Sequence, residues 1–81
     1  MRLKYSPQFL KNWSETPPTI QRLFEKQAQF LLQNLRHPSL RAKKYDETRD
    51  IWQARIDRSW RFYFQIRDDT YYLLNITPHP K

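Results

Sequence analysis

Apolar residues along this chain keep a helical period up to His37-Pro38-Ser39 and a period of two after it. At the start, Arg2 to Tyr5 alternate polar and apolar, as a short strand does. Ser6-Pro7 then supplies an N-cap and a proline for the first helical position. Phe9, Leu10 and Trp13 share one side of the short helix that follows, which Ser14 to Thr16 break. A second helix is predicted from Thr16 as cap and Pro17-Pro18 in the first turn. Its stripe is Ile20, Phe24, Ala28, Leu31 and Leu35, widened by Leu23 and Leu32. Gln21, Arg22, Glu25, Lys26, Gln29 and Gln33 occupy the opposite face. The predicted length is about 17 to 19 residues, and the stripe is a core-facing one.

Beyond the break, Trp52, Ala54 and Ile56 alternate with Gln53 and Arg55. Trp60, Phe62, Phe64 and Ile66 alternate with Arg61, Tyr63, Gln65 and Arg67, and Tyr72, Leu74 and Ile76 with Leu73, Asn75 and Thr77. With turns at Asp57-Arg58-Ser59 and Asp68-Asp69, these make a three-stranded antiparallel meander. Leu40 to Tyr45 is a candidate for one further strand. The expected fold is α+β: an N-terminal strand and two helices packed on a curved antiparallel sheet of about four strands, in one domain over residues 1–81.

Register turns this pattern into candidate chemistry. A three-residue loop at Asp57-Arg58-Ser59 sets Ile56 opposite Trp60 and Arg55 opposite Arg61. Like charges directly opposed, with side chains about 5 Å apart, are destabilising, so such a pair has a reason to exist where an anion is expected. A second three-residue loop, Asp68 to Thr70, sets Phe64 opposite Leu74, Phe62 opposite Ile76 and Arg61 opposite Thr77. Arg55, Arg61 and Thr77 then share the face opposite the aromatic core, with His79 just past the strand end. Guanidiniums bind a phosphodiester bidentately and stabilise charge developing on it, and an imidazole moves protons near neutral pH. The alternative is that both arginines pair with Asp57 or Asp68 on a solvated face and that His79 is a tail residue.

Composition narrows the classes. Fifteen Lys and Arg against eight Asp and Glu give a formal charge of +7, which points to an anionic partner, nucleic acid first. The absence of glycine excludes phosphate-cradling loops, and the absence of cysteine excludes disulfides, a thiol nucleophile and zinc knuckles. Two separated histidines with no carboxylate cluster argue against a metal site. Neither a signal-peptide pattern nor an apolar run long enough for a membrane is present, so a soluble cytoplasmic protein is expected. A second basic feature runs from Arg36 to Lys44, including Arg41 and Lys43. It can line a groove along a nucleic-acid backbone, with Tyr45 or Tyr63 to stack on a base, or it can be a solvated loop with lysines guarding a sheet edge. His37 reads as a helix-terminating loop residue.

Taken in order, these segments resemble the RelE/ParE superfamily of bacterial toxin–antitoxin toxins. The resemblance runs from the strand–helix opening through Asn34-Leu35-Arg36-His37-Pro38-Ser39-Leu40 to Ile51-Trp52-Gln53-Ala54-Arg55-Ile56, Trp60-Arg61-Phe62-Tyr63-Phe64 and Ile76-Thr77-Pro78-His79. It implies a toxin neutralised by a cognate antitoxin. In the RelE branch it implies metal-free cleavage of mRNA on the ribosome, by attack of a ribose 2′-hydroxyl on the adjacent phosphate, with no cofactor. Arg61 then matches the arginine that stabilises the phosphate, and Arg55 the basic position on the preceding strand. Lys43 and Lys44 fall in the basic segment used against rRNA or the transition state, and His79 is the candidate general acid or base. Members of this branch commonly carry a tyrosine or another acid/base residue near the C-terminus, where this sequence has Pro80-Lys81. Tyr63 is a candidate substitute and Glu47 a candidate partner. The ParE branch shares the fold and acts on DNA gyrase instead; a basic nucleic-acid-binding module without catalysis is the third reading.

Overall fold

A computed structural model describes residues 1–79. Strand β1 (Arg2–Tyr5) leads into helix α1 (Pro7–Ser14) and helix α2 (Pro18–Gln33). A 3-10 turn (Pro38–Leu40) connects to strands β2 (Lys43–Asp46), β3 (Ile51–Arg55), β4 (Trp60–Arg67) and β5 (Thr70–Pro78). The sheet order is β1-β5-β4-β3-β2. β2 to β5 pair antiparallel, and β1 joins β5 in parallel, so the sheet is five-stranded and mixed.

Local chemistry accounts for the element ends. Ser6 caps α1 by accepting the Phe9 amide N–H at 3.0 Å, with Pro7 in the first turn. α2 differs from the expectation at its start. Pro17 occupies the cap position and no side chain caps the helix, because the Thr16 hydroxyl instead donates to the Asn12 carbonyl at 2.8 Å. That bond closes the end of α1, so Thr16 serves the preceding helix. His37 does end the helical segment: its ring stacks on Phe30 with centroids 3.9 Å apart, and its Nδ1 accepts the Ser39 N–H.

Residues of alternate parity on the strands bury against the helices. Phe9, Phe24, Leu31, Leu40, Ala54, Ile56, Phe62, Phe64, Leu73 and Ile76 form the core, with Phe24 meeting Phe62 edge-on at 5.1 Å between centroids. The first hairpin has the expected register, with Arg55 opposite Arg61. The second departs from it. Arg67 pairs with Thr70 across a two-residue Asp68-Asp69 loop, in which Asp68 takes a left-handed φ of 55° that aspartate tolerates. Phe62 still faces Ile76 and Arg61 still faces Thr77, but Phe64 faces Leu73 rather than Leu74. A bulge reconciles the shorter loop with the apolar pattern: Leu74 is the extra residue, and parity along β5 switches there. Tyr71 and Leu73 are therefore buried before the bulge and Ile76 after it.

Candidate functional site

The face of the sheet away from the helices carries the second parity class. Arg55 and Arg61 sit opposite one another in the β3–β4 ladder, and Thr77 of β5 is the next partner of Arg61. Lys43 enters from β2 opposite Gln53, and Arg41 from the residue just after the 3-10 turn. Together with His79 these line a cleft of about 320 Å³: Arg41, Lys43, Gln53, Arg55, Arg61 and His79. Among the described residues no carboxylate lines it.

How the two arginines are held decides between the readings offered by the pattern. Arg55 Nε and Arg61 Nη1 donate to the same acceptor, the Asp57 backbone carbonyl, at 3.3 and 2.5 Å. Arg61 Nη1 also donates to the Trp60 carbonyl at 2.9 Å. The Asp57 carboxylate turns the other way and accepts the backbone N–H groups of Ser59 and Trp60 at 2.8 and 2.9 Å. The loop therefore spends its one nearby carboxylate on itself and offers the guanidiniums only a neutral oxygen. Every ion pair among the described residues lies elsewhere, on Arg2, Lys44 and Arg49. Arg55, Arg61, Arg41 and Lys43 thus present positive charge that the described residues do not neutralise. That is the electrostatic requirement for holding a phosphate.

Beneath this cleft lies a support that the period analysis missed. Gln27 of α2 is buried, and its Nε2 donates to the Arg55 carbonyl at 2.7 Å and the Ser39 carbonyl at 3.0 Å. Its Oε1 accepts the Ser39 hydroxyl at 2.9 Å. One amide therefore ties the end of β3, which carries Arg55, to the turn that leads into Arg41. Arg41 itself holds a left-handed backbone, φ 47° and ψ 43°, which is uncommon for a residue of its kind and fixes where its side chain leaves the chain. His79 is anchored by its backbone, its N–H donating to the Ser59 carbonyl at 2.5 Å. The imidazole stays exposed beside the arginines.

Comparison with known proteins bears on the fold. No family model matches the sequence, and no curated protein matches it significantly. Solved structures do. A YoeB/ParE toxin from Agrobacterium tumefaciens is similar with a TM-score of 0.81 at 12% identity, over 99% of this chain and 100% of that one. The archaeal RelE–RelB complex from Pyrococcus horikoshii gives 0.76 at 21% identity, over 95% and 92%. The E. coli RelBE toxin–antitoxin complex gives 0.74 at 16% identity, over 98% and 96%. The chain has the RelE/ParE toxin fold.

Within that toxin fold the residues singled out from the sequence do not all converge. Arg41, Lys43, Arg55, Arg61 and His79 share the cleft. Tyr63 stands next to it, its hydroxyl accepting from Gln53 Nε2 at 3.1 Å. Lys44 does not share it. It pairs with Trp52, so its side chain goes to the other face, where its Nζ lies 5.1 Å from the Trp52 ring centre and forms an ion pair with Asp50. The hydrogen bond that it donates to the Asp50 carboxylate, with Glu47 nearby, holds the Lys44 ammonium above the ordinary lysine range. Glu47, 3.9 Å from that ammonium, is likewise remote from the cleft and supplies no partner there. Among the described residues no group of three or more His, Asp or Glu is placed to hold a metal ion, and no helix is long and apolar enough to cross a membrane. Pro80 and Lys81, in the position where the resemblance expects a further acid/base residue, lie outside the described residues.

Proposed function

We propose that this protein is the toxin of a toxin–antitoxin pair and cleaves mRNA on the ribosome in the cytoplasm, without a metal or other cofactor. The observation that carries the reading is the un-neutralised Arg55–Arg61 pair with His79 beside it, in a fold shared with solved RelE and YoeB toxins. In the proposed reaction the substrate's 2′-hydroxyl gives up its proton to water as its oxygen bonds to the adjacent phosphorus, while the bond from phosphorus to the 5′-oxygen breaks. The products are a 2′,3′-cyclic phosphate and a 5′-hydroxyl. Arg61 and Arg55 bind the phosphate and stabilise the charge that builds on its equatorial oxygens. His79 lines the cleft beside the arginines and is the imidazole there that can take up and give back a proton, so it carries the proton that the leaving 5′-oxygen gains. Lys43 and Arg41 hold the flanking backbone. The antitoxin is the second partner: solved relatives include RelE–RelB and YoeB–YefM complexes.

The experiment compares mRNA ends on translating ribosomes with gyrase supercoiling in the presence of the protein. New mRNA ends with supercoiling unaffected are expected. Gyrase inhibition with intact mRNA would replace this reading with the ParE-like one, a protein-binding inhibitor.

A further inference from the structure

Beside the cationic cleft, the helix-free face opens into a second recess of about 360 Å³, lined by Tyr45, Ile51, Tyr63, Leu74, Asn75 and Thr77. We propose that this recess is a nucleobase subsite, taking the base of a single-stranded nucleotide whose phosphate sits between the arginines. The proposal rests on the RNA reading above and adds to it a contact that the cleft does not contain.

Three observations carry it. First, the recess and the cleft are lined by neighbouring ladder positions. Thr77, the ladder partner of Arg61, lines the recess, and Gln53, which lines the cleft, holds the Tyr63 hydroxyl. The Tyr63–Asn75 pair lies two residues along the ladder from Arg61–Thr77, roughly 7 Å at the rise of a β-strand. That matches the reach from a phosphate to the base of its own nucleotide.

Second, the bulge in β5 turns Leu74 to the helix-free face, where strict alternation back from Thr77 would set Leu73. Leu73 takes the core position, and Leu74, the extra residue, lines the recess together with Ile51. Bulges beside functional sites re-aim side chains in this way. At the other wall, β2 has its own register break between Lys44 and Asp46, and Tyr45 is the residue left without a ladder partner. Tyr45 is 59% exposed although its ring meets Tyr63 edge-on at 5.0 Å between centroids. An exposed ring held by a second ring, in a recess that a leucine also lines, is a stacking platform, and every base has a π-face to offer it.

Third, the polar edge of the recess has a defined sign. Asn75 Oδ1 accepts from Asn12 Nδ2 and from the Ile76 N–H. The carbonyl end of this amide is thereby occupied, and its NH₂ remains to donate to a carbonyl oxygen or ring nitrogen of a base. A purely hydrophobic partner surface would have no use for that donor, and an acidic one would favour the cleft.

The test uses a fluorescent 2′-O-methyl RNA oligonucleotide, which lacks the attacking hydroxyl, and measures its binding to the full chain at fixed low salt. Tyr45→Ala is expected to weaken binding about tenfold, within the range found for one lost base stack, while Tyr45→Trp keeps it. An abasic nucleotide at one position of the oligonucleotide is expected to weaken the wild type equally and to add nothing in Tyr45→Ala. The salt dependence stays unchanged in Tyr45→Ala and becomes shallower in Arg61→Gln, which removes a phosphate contact. If Arg61→Gln weakens binding but Tyr45→Ala and every abasic position are silent, the recess is not a base subsite, and the RNA reading survives alone. A wild-type protein that leaves the oligonucleotide unbound at low salt overturns both.

Discussion

Arg61 and Phe62 are neighbours on β4, yet they work on opposite faces of one sheet. Phe62 is fully buried against α2, in a ring cluster reaching Phe24 and Phe64. Arg61 faces away from the helices, held by backbone carbonyls and open to a cleft that no described carboxylate lines. The same division separates Ala54 from Arg55 on β3 and Ile76 from Thr77 on β5. The contrast teaches that in a sheet covered by helices on one side, core packing and the basic cleft are assigned by parity. Substitutions one residue apart should therefore separate folding from activity.

The strongest break in that contrast is Phe62→Ala, expected to cost about 3–5 kcal/mol in chemical denaturation. That is a large share of the roughly 5–15 kcal/mol that holds a small domain together. Next is Arg61→Ala, expected to slow RNA cleavage about 10²–10³-fold, the scale for losing one donor to a transition-state charge. Its stability should move by only about 1 kcal/mol, since part-buried hydrogen bonds to two backbone carbonyls are lost. For His79→Ala a decrease of about 10²-fold in cleavage rate is expected, with the denaturation curve unmoved; full activity would place the proton transfer elsewhere.

Gln27→Leu joins the two faces and sharpens the comparison. It orphans the carbonyls of Arg55 and Ser39, so a loss of about 1–3 kcal/mol is expected from denaturation. A drop in cleavage at temperatures where the variant remains folded would show that α2 positions the arginines. The smallest effect is at Asp46, whose carboxyl is held below the usual carboxylate range by hydrogen bonds from Arg49. A depressed carboxyl pKa stabilises the fold above the unfolded pKa and ceases to do so as pH falls through the folded value. The stability difference between wild type and Asp46→Asn, small at neutral pH, should therefore close below about pH 4.

Much of this architecture is legible in alternation alone. Trp52 to Ile56 and Trp60 to Arg67 declare both faces of β3 and β4, and a loop of three residues suffices to oppose Arg55 and Arg61. What alternation does not carry is an interruption of itself. The Leu74 bulge permits a two-residue loop and an intact core together, which a strictly alternating β5 does not. The parallel pairing of β1 with β5 joins residues nearly the whole chain apart and leaves no local periodic trace. Lys44 was legible in principle. Once Lys43 and Lys44 are read as consecutive residues of a strand, they must point to opposite faces, and only one can reach the cleft. Gln27 left no signal, because a glutamine at the edge of an apolar stripe looks solvent-facing until its acceptors are known.

The central claim, that the helix-free face cuts RNA, is tested most directly by the chemistry of the ends. Messenger RNA recovered from translating ribosomes should carry new 2′,3′-cyclic phosphate and 5′-hydroxyl termini with the wild-type protein. With Arg61→Ala, folded to the same extent, they should form about 10²–10³-fold more slowly. Growth arrest without such termini, or termini that persist undiminished in Arg61→Ala, would contradict it.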